Sequence, residues 1–265
     1  DEVSLGWFEV SSHIASQMAS KSLEVGSIVH TKGYYSEFDG GNAKYIVFAP
    51  QAADGYSDHA LANGNVAVLQ SKKGEFIIEQ FGGVSDNIAV DSLAPFLAAK
   101  AKADLNNGGV IYAMGNAYYI SGEITLDTDN VIIEGKGCGF HHDTGGAPLV
   151  SELIATGAIQ DALVLITSAS TFKASGSGLR KIRVNANLLR NKSVEVKSQN
   201  RFYLEDVYAL SALAINANFT VKTGMLEAAD NQYGYVNGLY TNSGYPDSGT
   251  AADATEGMVF GGYWV

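Results

Sequence analysis

Apolar and polar residues alternate in short bursts along much of this chain. In LRKIRVNANLLRNKSVEVKSQN, residues 179–200, Ile182 and Val184 flank Arg183, and Val194 and Val196 flank Glu195. A period of two is that of a half-buried strand. No helical pattern separates the two bursts, and no Asn-Gly dipeptide joins them as a hairpin. The first burst recurs: LRKIRV (179–184), LEDVYA (204–209) and VNGLYT (236–241) bring Leu179, Leu204 and Val236, then Ile182, Val207 and Leu239, into register at offsets of 25 and 32. A second burst follows each. SVEVKS (193–198), ALAINA (212–217) and GMVFGG (257–262) match Val194 and Val196 with Leu213 and Ile215, then with Met258 and Phe260. Short strands repeating every roughly 20–30 residues, with no helix per repeat, predict a parallel β-helix. Inward residues then stack on their equivalents about 4.8 Å away, and the open strand edge at each end needs cover.

Upstream the pattern changes. VGSIVHTKGYY, SEFDGGNA and KYIVFAP read as strand, turn and partner strand, and NVAVLQ as one strand more. Ile14, Met18 and Lys21 have short helical spacing. DSLAPFLAAKAKADL, residues 91–105, carries the one sustained helical stripe: Leu93, Phe96, Leu97, then Lys100 or Ala101. Asp91 or Ser92 stands where a cap is needed, Pro95 fits the first turn, and NNGG at 106–109 ends the helix. Residues 1–74 are thus expected to form a small mainly-β domain with SKKG (71–74) as linker, and residues 75–265 the start of the coil domain. The chain lacks a starting Met and ends in the apolar GMVFGGYWV, which reads as a coil domain truncated at its C-terminus.

Composition narrows the function classes. The net charge of −11 argues against a nucleic-acid partner, since phosphate binding needs clustered cations. Arg180, Lys181, Arg183, Arg190 and Lys192 do gather, but they alternate with apolar residues and read as a solvated strand face. Cys138 is the single cysteine, so no internal disulfide forms. No run of 18 apolar residues occurs, so no helical membrane insertion is expected. GKGCGF (135–140) lacks dinucleotide-loop spacing, and neighbouring residues of HHD (141–143) point opposite ways on a strand, so no cofactor and no metal are expected. His13, His30 and His59 belong to no constellation.

Residues 81–139 resemble the pectate-lyase-like β-helix superfamily. The resemblance rests on Phe81-Gly82, the helix, Gly108-Gly109-Val110, Tyr119-Ile120-Ser121-Gly122, and DNVIIEGKG closing the first coil. VSDNIAVD stands where that superfamily usually has an Asp-Gly-x-x-Asp-Asp run. VGSIVHTKGYYSEFDGGNAKYIV and ADGYSDHALANGNVAVLQ resemble the small domain that precedes the β-helix in bacteriophage tailspikes. Together these imply an all-β fold: a right-handed parallel β-helix with an N-terminal capping helix, preceded by a small mainly-β domain. They also imply a homotrimeric, virion-borne tailspike, contacting other tail proteins, that binds and degrades a bacterial surface polysaccharide. A non-catalytic virion-attachment or polysaccharide-binding fragment, or a secreted pectate-lyase-like enzyme, would share these features.

Glycoside hydrolysis needs two carboxylates, about 5 Å or roughly 6.5–9.5 Å apart. Glu205 and Asp206, neighbours at a strand corner, are the catalytic candidates. Arg183, Tyr208 and Tyr240 fall at equivalent outward sites on successive coils and are the candidate substrate-binding column, because sugars pack on aromatic faces.

Overall fold

The computed structural model describes residues 13–138, 150–158, 160–167, 175–197, 201–210, 219–222, 233–242 and 258–260. Five strands form the first sheet: β1 (His13–Ile14), β2 (Ile28–Gly33), β3 (Lys44–Phe48), β4 (Asp58–Ala60) and β5 (Val66–Leu69). Their order is β1-β2-β3-β5-β4, antiparallel except at β1–β2. The β2–β3 hairpin is the one the alternation predicts. The residue 14–21 spacing yields a 3-10 turn, Ala15–Ser20, that buries Met18. The hairpin turn is held by Asp39: Oδ1 accepts the Tyr34 and Gly41 amides, and Oδ2 those of Tyr35 and Ser36.

Every later strand pairs in parallel. These are β6 (Glu75–Ile77), β7 (Gly109–Ala113), β8 (Ala117–Ile120), β9 (Ile124–Leu126), β10 (Val131–Gly135), β11 (Glu152–Ala155), β12 (Gln160–Ile166), β13 (Ser175–Asn185), β14 (Arg190–Lys197), β15 (Arg201–Leu210), β16 (Phe219–Lys222), β17 (Tyr233–Asn242) and β18 (Met258–Phe260). They make two sheets, β17-β15-β13-β10-β7-β6, with β11 and β8 beside it, and β18-β16-β14-β12-β9. The chain passes back and forth between these sheets, so each pass stacks on the one before. Phe76, Ile111, Ile133, Leu179, Leu204 and Val236 occupy one register position through six layers. Tyr118, Leu153, Val184 and Ala209 make a second column, and Ile124, Val164 and Val194 a third. Of these side chains Phe76 is 4% exposed and Ile111 to Leu204, Tyr118 to Ala209 and Ile124 to Val194 are fully buried. Each Val, Leu, Ile or Phe among them contributes about 1.5–3 kcal/mol by leaving water.

The long strands bend. Lys181 in β13 and Asp206 in β15 have left-handed φ values of 49° and 51°, and each falls in the gap of the ladder between two regular stretches. Gly238 occupies the corresponding gap of β17. The strand corner expected at Glu205-Asp206 is therefore a stacked backbone feature. At Gly178 the reason for glycine is contact: a Cβ would lie 1.9 Å from the Tyr203 carbonyl oxygen on the next coil.

Helix α1 (Leu93–Leu105) lies against β6, β7, β9 and β10. Asp91 Oδ1 accepts the Leu93 amide at 3.0 Å, while Ser92 makes no cap bond and instead exchanges hydrogen bonds with the Val84 backbone. The buried face differs from the expected stripe. Pro95, Phe96, Ala99 and Ala103 are buried and Leu97 is 41% exposed. Alanines at i and i+4 let the helix backbone approach the strands closely, and the bulkier leucine is left at the rim. Asn107 at φ 59° and Gly108 at φ 114° then end the helix in the left-handed region.

Three further expectations need correcting. DNVIIEG does not close the first coil: Val131 pairs with Gly109 and Ile133 with Ile111, so it opens the second. In the other sheet the partners of Val194 and Val196 are Phe219 and Val221, which pair in turn with Met258 and Phe260. Leu213, Ala214 and Ile215 lie outside the described residues. The offset from Val194 to Phe219 equals the 25 between Val184 and Ala209 at this step, whereas the next step is 32 in one sheet, Leu204 to Val236, and 39 in the other, Phe219 to Met258. Finally, the basic cluster is a solvated face only at Arg180 and Lys181. Arg183 and Lys192 are 7% and 8% exposed and Arg190 is fully buried.

Candidate functional site

The outward side of the bent sheet carries the candidate residues on columns one coil apart. Tyr112, Glu134, Arg180, Glu205 and Asn237 share one column. Arg180 links its neighbours: Nη1 lies 3.2 Å from Glu134 Oε2, and Nε 2.9 Å from Glu205 Oε2. Lys181 Nζ reaches Glu134 Oε1 at 3.2 Å. Alternating charge satisfies a ladder that like charges would split. Glu205 thus sits in an ion-pair ladder, with its nearest carboxylate in the column, Glu134, two coils away.

Beyond the bend runs a second column: Ala117, Glu152, Arg183, Tyr208 and Tyr240. The register that grouped Arg183, Tyr208 and Tyr240 is the one observed. Arg183, expected to face water, is sandwiched. Its Cζ is 5.2 Å from the Tyr208 ring centroid, Nη1 is 3.7 Å from Glu152 Oε2, and Nη2 donates to the Cys138 carbonyl at 3.3 Å. Asn185 donates to the other Glu152 oxygen at 2.9 Å. Cation–π contact and a carboxylate together offset the desolvation of a 7%-exposed guanidinium. Asp206 lies near Cys138, whose thiol pKa is pushed up by burial first and by the Asp206 charge second.

The sequence reading missed a third column. Gly178 pairs with Tyr203, and Tyr203 with Tyr235. Tyr203 is 38% exposed and stands two residues before Glu205. The signal was present, since Tyr203 and Tyr235 immediately precede the aligned Leu204 and Val236. Along β15, Tyr203 and Tyr208 therefore stand on either side of the Arg180–Glu205 pair, and Tyr235 and Tyr240 are their register partners one coil on. Among the described residues no group of three or more His, Cys, Asp and Glu could hold a metal, and no helix is long and apolar enough to cross a membrane. The HHD run at 141–143 lies outside the described residues.

The class of protein this geometry defines is a mostly-β chain with a small first sheet followed by stacked parallel coils. Solved structures similar to it in fold include phage tailspikes. The enzymatically active domain of bacteriophage CBA120 tailspike protein 2 superposes with a TM-score of 0.63 at 11% identity, over 90% of this chain and 34% of its own. The tailspike gp49 of Acinetobacter baumannii bacteriophage Fri1, described as a capsular polysaccharide depolymerase, gives 0.54 at 14% identity, over 93% and 51%. The gp42 tailspike of Acinetobacter phage vb_AbaP_AS12 gives 0.55 at 14%, over 87% and 47%. The likeness is one of fold, and this chain spans about a third to a half of those proteins. No family model and no curated protein matches the sequence.

Proposed function

We propose that this chain is part of a phage tailspike, a receptor-binding protein of the virion tail that recognises a bacterial surface polysaccharide and, as a whole protein, depolymerises it. The observation carrying this reading is the tailspike fold presenting tyrosine columns on either side of an ionic ladder. In this reading the coils form a right-handed parallel β-helix and α1 is its N-terminal cap, covering the strand edge beside β6. Residues 1–74 are the virion-proximal adaptor, in contact with other tail proteins, and residues 75–265 begin the β-helix domain. The protein is a homotrimer. Arg183, Tyr208 and Tyr240 line the sugar path.

Glu205 and Asp206 are the catalytic candidates within these residues. Hydrolysis requires an acid and a base or nucleophile within about 9.5 Å. The Glu205 column holds Arg180 and Asn237 on either side, and Lys181 and Gly238 stand at the bends adjacent to Asp206. Neither candidate has a carboxylate on an adjacent coil of its column. The 265-residue chain alone is therefore expected to cleave nothing. The chemistry belongs where chains of the trimer meet or outside these residues. The test is incubation of this chain and of the natural-length gene product with purified capsular polysaccharides, measuring new reducing ends and unsaturated uronates. New ends from the natural-length product alone are expected. Turnover by the 265-residue chain, abolished by Glu205→Gln or Asp206→Asn, would instead put the site here.

A further inference from the structure

The contact between the first sheet and the coils is built around one buried acid. The turn between β2 and β3, residues 34–42, lies on residues 79–82, at the 3-10 turn that follows β6. A Cβ on Gly41 would stand 2.6 Å from the Glu79 carbonyl oxygen, and one on Gly82 2.7 Å from the Tyr34 ring, so the two segments touch. Gln80 Nε2 donates to the Asn42 carbonyl at 2.9 Å. Glu79 runs through this contact. Its Cγ is 3.4 Å from the Cβ position of Gly40, and its carboxyl ends on the first coil, where Oε1 accepts the Gly115 amide at 3.0 Å and the Tyr118 hydroxyl.

That position favours the neutral acid. Glu79 is 7% exposed, and Oε2 has no hydrogen-bond partner among the described residues. No cation pairs with it there. Lys136 is held by Asn116, and on α1 Lys100 is held by Asp104 and Asp127 and Lys102 by Asp58. The other charges nearby are negative: Asp39 in the 34–42 turn and Asp86, which Asn116 bonds at 2.9 Å. Tyr34 and Tyr35 from the turn and Tyr118 from β8 have phenol pKa values pushed up, chiefly by burial, and stay neutral. His59, whose ring is 5.7 Å from that of Tyr34, has its pKa lowered by burial and is neutral near pH 7. Burial likewise raises the Glu79 pKa, against the bonds from Tyr118 and Gly115 and the charge of Lys136. Ionising Glu79 in place strands a charge in a dry contact, and parting the contact lets water reach it.

We propose that Glu79 is a pH-operated latch between the first sheet and the coils: neutral, it lets the 34–42 turn lie closed on residues 79–82, and ionised, it drives that turn off them. The sign follows from linkage. The closed contact keeps a proton that the open one releases, so closure is favoured at low pH and is lost as pH rises through the closed-state value. The first sheet is then held stiffly on the coils in acid and more loosely above.

The test is hydrogen exchange of the whole chain from about pH 5 to 9, corrected for the intrinsic pH dependence of amide exchange. Mass spectrometry reads peptides covering residues 34–42, 78–83 and β10. Protection of the first two is expected to fall together by up to about tenfold per pH unit and then level off, with β10 more protected at every pH. Glu79→Gln, which keeps an acceptor for Tyr118 and Gly115, is expected to make both profiles flat. Lys136→Gln, at an exposed side chain, removes a positive charge that favours the ionised acid and is expected to move the fall to higher pH. The proposal fails if the parent profile is flat, if Glu79→Gln retains the fall, if Lys136→Gln moves it to lower pH, or if the two segments lose protection only together with β10.

Discussion

Among the described residues Arg190 is the largest fully buried side chain, and the partners of its guanidinium there are backbone carbonyls. Nη1 donates to the Ala158 and Leu189 carbonyls at 2.9 Å, and Nη2 to those of Ser121 and Thr156 at 3.0 and 3.2 Å. One cation thereby ties the turns of three coils. Arg190→Ala removes the packed stem and strips partners from four carbonyls, so a loss of roughly 3–5 kcal/mol in chemical denaturation is expected. Arg183→Ala should cost about 1–3 kcal/mol, more than an exposed strand arginine would, because Glu152 stays behind half-buried. Glu79 gives a pH dependence. Burial is the largest influence on its carboxyl and raises the pKa, against the opposing bonds from Tyr118 and the Gly115 amide. A raised carboxyl pKa means that its contribution to stability is full below the unfolded value and declines as pH rises through the folded one. Glu79→Gln should therefore flatten the fall in melting temperature as pH rises above the ordinary carboxylate range, and an unaltered slope would show that Glu79 is not the group responsible. Burial of this kind was not legible in the sequence. Whether a charged side chain leaves water depends on partners 30 to 70 residues away, as Ser121 is from Arg190. The burial of His59 was illegible for the same reason, since Tyr34, just past β2, and Tyr45 in β3 reach it from elsewhere in the sequence.

Among the elements, the strands were the most legible because inward residues recur at period two and equivalent positions on successive coils are apolar together. That is why Leu179, Leu204 and Val236 aligned correctly. The second face misled because LAI at 213–215 and FTV at 219–221 alternate equally well, and only the strand pairing chooses between them. The helix was legible in extent but not in orientation, since Ala99 and Ala103 carry little hydropathy signal. Two comparisons test the coil register. Ile182→Asp puts an unpartnered charge into the column and should cost several kcal/mol, unfolding the coil locally. At the left-handed bend, Asp206→Asn and Asp206→Gly should each change stability by under about 1 kcal/mol, whereas Asp206→Val should cost about 1–2, because a β-branched residue resists positive φ. Equal melting of the three Asp206 variants would mean that the bend is not left-handed.

For the whole molecule, parallel stacking leaves outward columns that must meet water, sugar or another chain. In the second sheet Thr125, Leu165, Glu195, Thr220 and Val259 share one such column. Thr220 takes the place the sequence alignment gave to Ala214, which leaves Leu165 and Val259 as its apolar members. Glu195 there is 2% exposed and lies 3.0 Å from Lys192 Nζ. Burial would lower the Lys192 pKa, but Glu195 and Asp161 more than reverse it. The trimeric reading has a direct test: light scattering of the natural-length product should return three chains, not one. The central claim is recognition of a host-surface polysaccharide, and binding tests it most directly. Natural-length protein would be immobilised and exposed to purified capsular polysaccharides from a panel of encapsulated strains. The account expects saturable binding to one capsule type or a few related ones, lost when the capsule is enzymatically removed from the same cells. Absence of binding to every capsule, or attachment to cells that does not change when the capsule is stripped, would contradict it.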